Sequence, residues 1–570
     1  MQTPSIAVLI VGAGPTGLTM ACELLRRGVP CRILEKEAAP ATTSRAIGLQ
    51  ARSLELFANM GIVESALAQG IPGIRVNAYS DDHLAFRLDF RFLANESIPY
   101  PYGTLLPQNL TEQILLALLR KLGGQVERSC EVIGLQQTNE RVSVTVNHLE
   151  DGSSEEIEAG WLIGCDGAHS RVQKATGIAF AGSAYQEEFL LADVDLDWDK
   201  SHEEIHVWLH QDGQFGAMPL PDNHWRLIAD MPVTPGKMMP SASPELFARL
   251  LRERAGDSKT TLSHPTWMSN FHIHRRLAAS YRQNRVFLAV DAAHVHSPFG
   301  GQGANTGIQD AFNLAWKLAL VVHGKANETL LDTYQEERCP VARQVLAETH
   351  QLTSIFYQRN LLSRTLRDRL VVPLLKRPAI QRRLLWAASE LGIQYRSSTL
   401  SHAHHGGLQA LLPTMKKTPQ AGDRAPDGHC LRLPMREETT LFQVFQDSRA
   451  HLLLFDGSMQ TSSTYTHLLR LARCVEALLK EEIQVYLVAS SEIPLAWEGS
   501  FLYDVDHRMH TYYGIRVPSL AFIRPDGYIG LLCPLAHDQE LLSYLQRLYL
   551  FPRVSSIETQ KGLIDEAKIS

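Results

Sequence analysis

Ser5-Ile6-Ala7-Val8-Leu9-Ile10-Val11-Gly12-Ala13-Gly14-Pro15-Thr16-Gly17 is the stretch on which the fold turns. Ile6 to Val11 is an unbroken apolar run rich in β-branched residues, the pattern of a short buried strand. Pro15 to Arg27 has helical spacing, and Cys31 to Glu35 reads as a second strand, which completes a β-α-β unit. The three glycines divide the labour of a GxGxxG turn. Gly12 permits the tight bend, Gly14 lets backbone approach a pyrophosphate, and Gly17 lets the helix pack closely on the strand. Ala13, Pro15 and Thr16 complete the loop, and the helix start offers free N–H groups and partial positive charge to phosphates.

GxGxxG alone is weak, because any β-α turn tolerates glycine. Here the required context is present, including Glu35 at the end of the second strand, 18 residues past Gly17, followed by Lys36. A carboxylate there accepts hydrogen bonds from ribose hydroxyls and repels a 2′-phosphate. The pocket is therefore expected to hold FAD or NAD, not NADP.

Composition narrows the class. Of 570 residues, 45% are hydrophobic and 20% charged, enough to bury several cores in three or four units. A net charge of −6 without basic runs argues against nucleic-acid or anionic-membrane binding. Met1 to Ser5 lacks the basic flank of a signal peptide, and no run of ~20 apolar residues occurs. The eight cysteines are scattered and none form CxxC, which suits a cytoplasmic protein with free thiols.

Two further motifs carry chemistry. In Ile163-Gly164-Cys165-Asp166-Gly167-Ala168-His169-Ser170-Arg171 a buried strand ends in an Asp-Gly turn. The Asp166 carboxylate either bonds a cofactor ribose or fixes the loop ahead of a short helix, and taken alone the plain capped turn is the better reading. Richer information lies in Val286 to Val290, Asp291-Ala292-Ala293-His294, then Ser297-Pro298-Phe299-Gly300-Gly301-Gln302-Gly303-Ala304-Asn305-Thr306-Gly307 and Asp310-Ala311, Asn313-Leu314, Trp316-Lys317. A strand ending in Asp291 sets a carboxylate at the carboxyl edge of the sheet, where ligands bind in open α/β folds. The glycines at 300, 301 and 303 bring backbone close to a flat ligand, and the helix start at Ala304-Asn305 can stabilise negative charge on it.

In this order and spacing, the three motifs resemble the single-component class A FAD-dependent aromatic hydroxylases, the p-hydroxybenzoate hydroxylase fold, over about residues 5 to 400. His294 to Lys317 is most similar to the polyketide, phenol and pentachlorophenol monooxygenase branch. The resemblance adds Arg45 and Gln108 to the FAD contacts, together with Asp291, Pro298, Gly301, Gly303, Ala304 and Asn305, and assigns Tyr395-Arg396 to a segment closing the core. Three positions depart from the pattern. Val290 stands for the usual Gly before Asp291, Phe299 for a small residue, and Ala304 for Met. A β-branched side chain at Val290 is expected to crowd the ribityl chain or shift the loop.

The expected fold class is α/β: a Rossmann-type FAD-binding domain (1–75, 105–180 and 280–397) interleaved with an antiparallel-sheet substrate domain (76–104 and 181–279). A polar linker (398–419) then leads to a C-terminal α/β domain (420–555). That domain resembles the thioredoxin-like unit of this branch, with Val517-Pro518 similar to its cis-proline strand but without CxxC. Packing or homodimer support is thus expected of it, not disulfide chemistry. Pro525-Asp526-Gly527 reads as a hairpin turn.

Weaker signals stay open. Phe215, Met218 and Trp225 line an apolar substrate pocket or belong to a core, with nothing to choose between them. His402, His404 and His405 lack any supporting ligand and read as solvated linker, so no metal is expected. His272 and His274 are packing residues by default.

One dinucleotide fingerprint occurs, not two, which favours transient docking of NAD(P)H against bound FAD. The resemblance implies hydride transfer to FAD, reaction with O2 to a flavin C4a-hydroperoxide, and attack by an aromatic phenolic or polyketide substrate. No catalytic base stands out. Baeyer–Villiger oxygenation or attack on a large antibiotic is the near alternative. An FAD-dependent reductase and a non-catalytic flavin or aromatic-ligand binder are the competing readings from other classes.

Overall fold

A computed structural model of the protein describes residues 6–43, 46–73, 75–80, 83–231, 239–295, 301–356, 365, 367–403, 418–457, 461–491, 497 and 500–551. At 183–187, 272–274, 350, 352–356, 368, 403 and 500 it describes the backbone alone.

Ile6–Val11 is the centre of the first sheet, and its Val8, Leu9 and Ile10 are fully buried, as befits a parallel strand covered by helices on both faces. It pairs in parallel with Cys31–Leu34 on one side and Ser154–Gly164 on the other, and the latter pairs with Val286–Leu288. The register aligns the strand ends: Val11 lies opposite both Leu34 and Gly164, and Gly164 lies opposite Leu288. Each end is followed at once by a motif residue, Gly12, Glu35, Cys165-Asp166 and Ala289-Val290-Asp291. Parallel pairing thus collects residues from four distant parts of the chain on one edge. The helices Pro15–Arg26, Gln108–Lys121 and Gly303–Val322 bury Leu18, Leu115, Ile308, Phe312 and their neighbours in one core with this sheet.

The second sheet runs Arg75–Ser80, Glu204–His210, Gly213–Pro219, His224–Met231, Phe180–Asp197 and Thr261–Ala278, with His83–Asp89 and His294–Val295 at its edges. One face packs on the helix Pro244–Ala255, which has strong terminal signals. Ser243 caps it by accepting from Leu246 N at 3.2 Å, Pro244 opens it, and Gly256 ends it at φ +68°. His294–Val295 follows directly on the Asp291 loop, so the edge of the first sheet feeds straight into the second.

A third sheet is built on Ala450–Phe455, parallel to Ile483–Ala489 and antiparallel to Ser519–Ile523, with helices Ser462–Leu479 and Asp538–Leu548. Its Ser519–Ile523 and Ile529–Pro534 strands form the hairpin around Pro525-Asp526-Gly527, with Gly527 at φ +78°.

Three expectations change. The Val286 strand stops at Leu288, and Asp291 rides on the short turn Val290–Ala292, because Val290 at φ +51° breaks the extended run. Within the expected linker, His402–Ala403 pairs with the Ile529–Pro534 strand, and His402 meets Glu540 at 3.3 Å; 404–417 lie outside the described residues. The Val517–Pro518 bond is trans, since among the described residues the cis bond is Leu433–Pro434.

All eight cysteines are free. Among the described residues no helix is long and apolar enough to cross a membrane, and no group of His, Cys, Asp or Glu is arranged to hold a metal.

Candidate functional site

The floor of the site is a set of positions where a side chain would not fit. Gly12 sits at φ +100°, and a Cβ there would run into the Cys165 carbonyl and come within 2.9 Å of Asp166 N. At Gly17 a Cβ would overlap the Gly12 carbonyl oxygen. Gly14 is the opposite: a Cβ added there would meet nothing within 4 Å, so the backbone here faces open space. The helix Pro15–Arg26 begins at this point with no side chain capping it, which leaves its first N–H groups available. Open space over glycine beside uncapped N–H groups is the cradle a pyrophosphate needs, and the residues present fit FAD.

Glu35 reaches this turn. Its carboxylate accepts from Ala13 N at 2.8 Å and Glu37 N at 3.1 Å, so it ties the second strand to the first loop. Gln108 opens its helix, donates through its backbone to Ala46 O at 3.0 Å and through its amide to Glu112 at 2.8 Å. Burial pushes the Glu112 carboxyl above its ordinary value, Gln108 opposes this, and nearby Glu35 adds to it. Gln108 and Glu35 therefore share one neighbourhood. Lys36 does not join them; its side chain is 64% exposed and pairs with Glu37 at 3.6 Å. Arg45 lies outside the described residues.

Asp166 fixes the second loop. It accepts from Ser170 Oγ at 2.6 Å, Arg171 N at 2.7 Å and Val172 N at 3.2 Å, the N–H groups that open the helix Arg171–Thr176. Burial raises its pKa above the ordinary carboxyl value, against these hydrogen bonds. Its link to the cofactor edge is through the backbone that packs against Gly12.

The third turn meets the first in space. A Cβ at Gly307 would overlap both Val290 Cγ2 and Thr16 Oγ1, so three residues far apart in sequence touch at one point. Val290 thus packs into the gap left by Gly307, at the crossing of the two helices that carry the motifs. A β-branched residue at φ +51° is an outlier that costs on the order of 1–3 kcal/mol and must be held by its surroundings. Asp291, next in the chain, is half-buried. Asn305, fully buried, accepts from Gln50 N at 2.7 Å and donates to Gly48 O at 2.9 Å and Gly301 O at 2.7 Å. It is a clamp that joins the 48–50 segment to the loop. The helix starts at Gly303, one residue before the expected Ala304, and it too has no side-chain cap. Gly301 stands at φ +63°, and a Cβ added to it would find nothing closer than Gln50 Nε2 at 3.8 Å. Pro298 and Phe299 lie outside the described residues.

The proposed pocket residues separate by face. Phe215 and Trp225 are buried with Trp208, Phe247 and Leu250 between the second sheet and the helix Pro244–Ala255, so they are core. Strand alternation sends Met218 to the other face, opposite Arg226. That face carries Phe189 stacked on Phe271 at 5.5 Å, Leu191, and Arg226 bound to Asp193 by two 2.7 Å hydrogen bonds with its guanidinium 5.2 Å from the Trp267 ring centre. The side chains of His272 and His274 are outside the described set.

What the motifs did not reveal is how the turns are supported. Asp310, part of the third motif but without a role there, accepts from Val290 N at 3.1 Å and Arg338 Nε at 2.6 Å. Lys317 and Arg524 both meet Glu337, at 2.8 and 2.6 Å, in a fully buried group. The available signal was the charge itself: Asp310 and Lys317 stand on a helix whose other faces are apolar, where a charge persists only with a partner.

A strand edge with two uncapped helix starts above a glycine floor defines a dinucleotide-binding protein. Comparison with known proteins makes this specific. The FAD binding domain family matches residues 5–349. The 6-methylpretetramide 4-monooxygenase of Streptomyces rimosus is 34% identical over 98% of this chain and 96% of its own length. The pentachlorophenol 4-monooxygenase of Sphingobium chlorophenolicum is 33% identical over 93% and 94%. Among solved structures, the OxyS anhydrotetracycline hydroxylase from Streptomyces rimosus superimposes with a TM-score of 0.73 at 29% identity, covering 96% of this chain and 99% of that one. The chain belongs to the FAD binding domain family, and within it to the flavin-dependent monooxygenases.

Proposed function

We propose that this protein is a single-component monooxygenase that uses NAD(P)H and O2 to hydroxylate an aromatic substrate of phenolic or polyketide type. One observation carries the reading: Val290 and Gly307 meet the Gly12–Gly17 turn at Thr16, and the second sheet carries the stacked pair Phe189 and Phe271 on the face away from its helix. FAD, when bound, would carry two electrons from NAD(P)H to O2 and so activate it. The chain's own residues do the rest. Gly12, Gly14 and Gly17 with the first helix start would hold the pyrophosphate, and Glu35, beside them, would accept from a ribose hydroxyl. Asp291 would serve the ribityl chain, and the uncapped start of Gly303–Val322 would stabilise negative charge on the bound flavin.

Phe189, Phe271 and Trp267 offer flat apolar surface to a ring system, with Arg226 and Asp193 already neutralising each other beneath it. Relatives named for oxygenation of 6-methylpretetramide and of pentachlorophenol, a phenol, support this substrate range. A single nucleotide fingerprint supports transient docking of NAD(P)H instead of a second Rossmann domain.

The test is oxygen uptake by the purified yellow protein with NADH or NADPH and a panel of phenols and polycyclic polyketides. A substrate that stimulates both NAD(P)H oxidation and O2 consumption, with one oxygen atom added to the product, is the expected result. Turnover of NAD(P)H that persists without O2 would make the protein a reductase instead.

A further inference from the structure

Val290 is a β-branched residue in a left-handed turn, at the point where the two flavin-facing turns touch. Within the turn, Ala292 N bonds Ala289 O at 3.3 Å and Ala293 N bonds Val290 O at 2.7 Å. A further constraint comes from the long helix. Asp310 accepts the Val290 N–H at 3.1 Å, and the same oxygen lies 3.2 Å from His294 Nε2, so one carboxylate spans both ends of the loop that carries Asp291.

Asp310 is held in turn. Its other oxygen accepts from Arg338 Nε at 2.6 Å, while Arg338 donates to Thr306 O at 3.0 Å and Tyr395 OH at 2.9 Å. Asp310 and Arg338 are fully buried, and His294 and Tyr395 nearly so. Burial alone would raise the pKa of Asp310, but Arg338 and His294 outweigh it and keep the carboxyl below its ordinary value. Tyr395 packs 4.3 Å from Tyr528 of the C-terminal hairpin, and its N–H bonds Gly422 O at 2.7 Å. The chain of contacts therefore runs from the third sheet to the cofactor loop.

We propose that Asp310, fixed by Arg338, is a positioning residue that holds Val290 in its left-handed turn and thereby aims Asp291 at the flavin. Glycine adopts φ +51° without help, so the need for Asp310 should disappear when Val290 is replaced by Gly. The inference rests on FAD binding at this site, and the experiment separates the two.

Two measurements on the full-length protein test it. In the wild type, with and without FAD, hydrogen exchange at the Val290 amide is expected to be as slow as in the middle of the Gly303–Val322 helix. Fast exchange would mean that Asp310 does not hold it. In a double-mutant cycle, Asp310→Asn is expected to weaken FAD binding about tenfold or more, the worth of a buried charge-assisted hydrogen bond. The same change in a Val290→Gly background is expected to cost less than about threefold, which is the coupling signature of one shared role. A merely structural aspartate would cost the same in both backgrounds, and that equality would overturn the proposal. Wild-type protein that binds no FAD would instead sink the functional reading and leave the exchange result to decide the inference.

Discussion

The two turns that meet at the candidate site reach unusual backbone shapes by opposite means. At Gly12 the chain takes φ +100° because the residue has no side chain to object, and the neighbouring Cys165 carbonyl uses the vacant space. At Val290 the chain takes φ +51° despite a β-branched side chain, in a gap opened by Gly307 and under an Asp310–Arg338 pair. The first turn is specified locally, by what is missing. The second is specified at long range, by a buried Asp310–Arg338 charge pair from two helices and the Tyr395 hydroxyl that accepts from Arg338.

The comparison is broken most forcefully at Gly17. A Gly17→Val side chain would overlap the Gly12 carbonyl, which is backbone and cannot swing aside. FAD affinity is expected to fall by at least about 100-fold, read as colourless purified protein or by flavin titration. Next comes Arg338→Met, which leaves Asp310 buried beside His294 without its main counter-charge. Removing one partner of a buried pair costs about 3–5 kcal/mol, so thermal unfolding should drop by many degrees and FAD retention with it.

A smaller effect, with a pH signature, is expected at Glu390. Burial pushes its carboxyl up to about 8, against Arg338, Gln309 and Thr306; it lies 2.5 Å from Gln309 Nε2. Its folded value lies above the ordinary 4.5, so the folded chain holds a proton that the unfolded chain has lost. Stability should therefore decline as pH rises from about 4.5 to 8. Glu390→Gln removes this dependence, so its melting temperature should gain on the wild type as pH rises from 5 to 8 and match it near pH 4. An unchanging difference across that range would remove Glu390 from the account. The smallest effect belongs to Lys36→Ala. That side chain is solvated, and surface changes lie within about 0.5 kcal/mol, so FAD affinity should move less than about twofold.

The same local-against-distant contrast explains what was legible in the sequence. The β-α-β unit, the aligned motifs and the long helix could be read because each is written in consecutive residues: a β-branched run, a glycine triplet, a 3.6-residue apolar period. The face of Phe215 and Trp225 could not, because alternation gives two faces and only the helix Pro244–Ala255 decides which is core. Asp166 had two readings, and its oxygens went to the helix start five residues on. Val290 was visible as a departure, but its remedy was not, since Asp310, Arg338 and Tyr395 are brought together by tertiary packing alone. Nor did the turn Arg524–Gly527 announce that its arginine would cross to Glu337 at 2.6 Å.

The central claim is that both turns serve one bound FAD, and hydrogen exchange of the flavin-free protein titrated with FAD tests it most directly. One FAD per chain should slow exchange in residues 9–18 and 289–307 together, over the same concentration range. Protection confined to one of these segments, or appearing in the two at separate FAD concentrations, would contradict it.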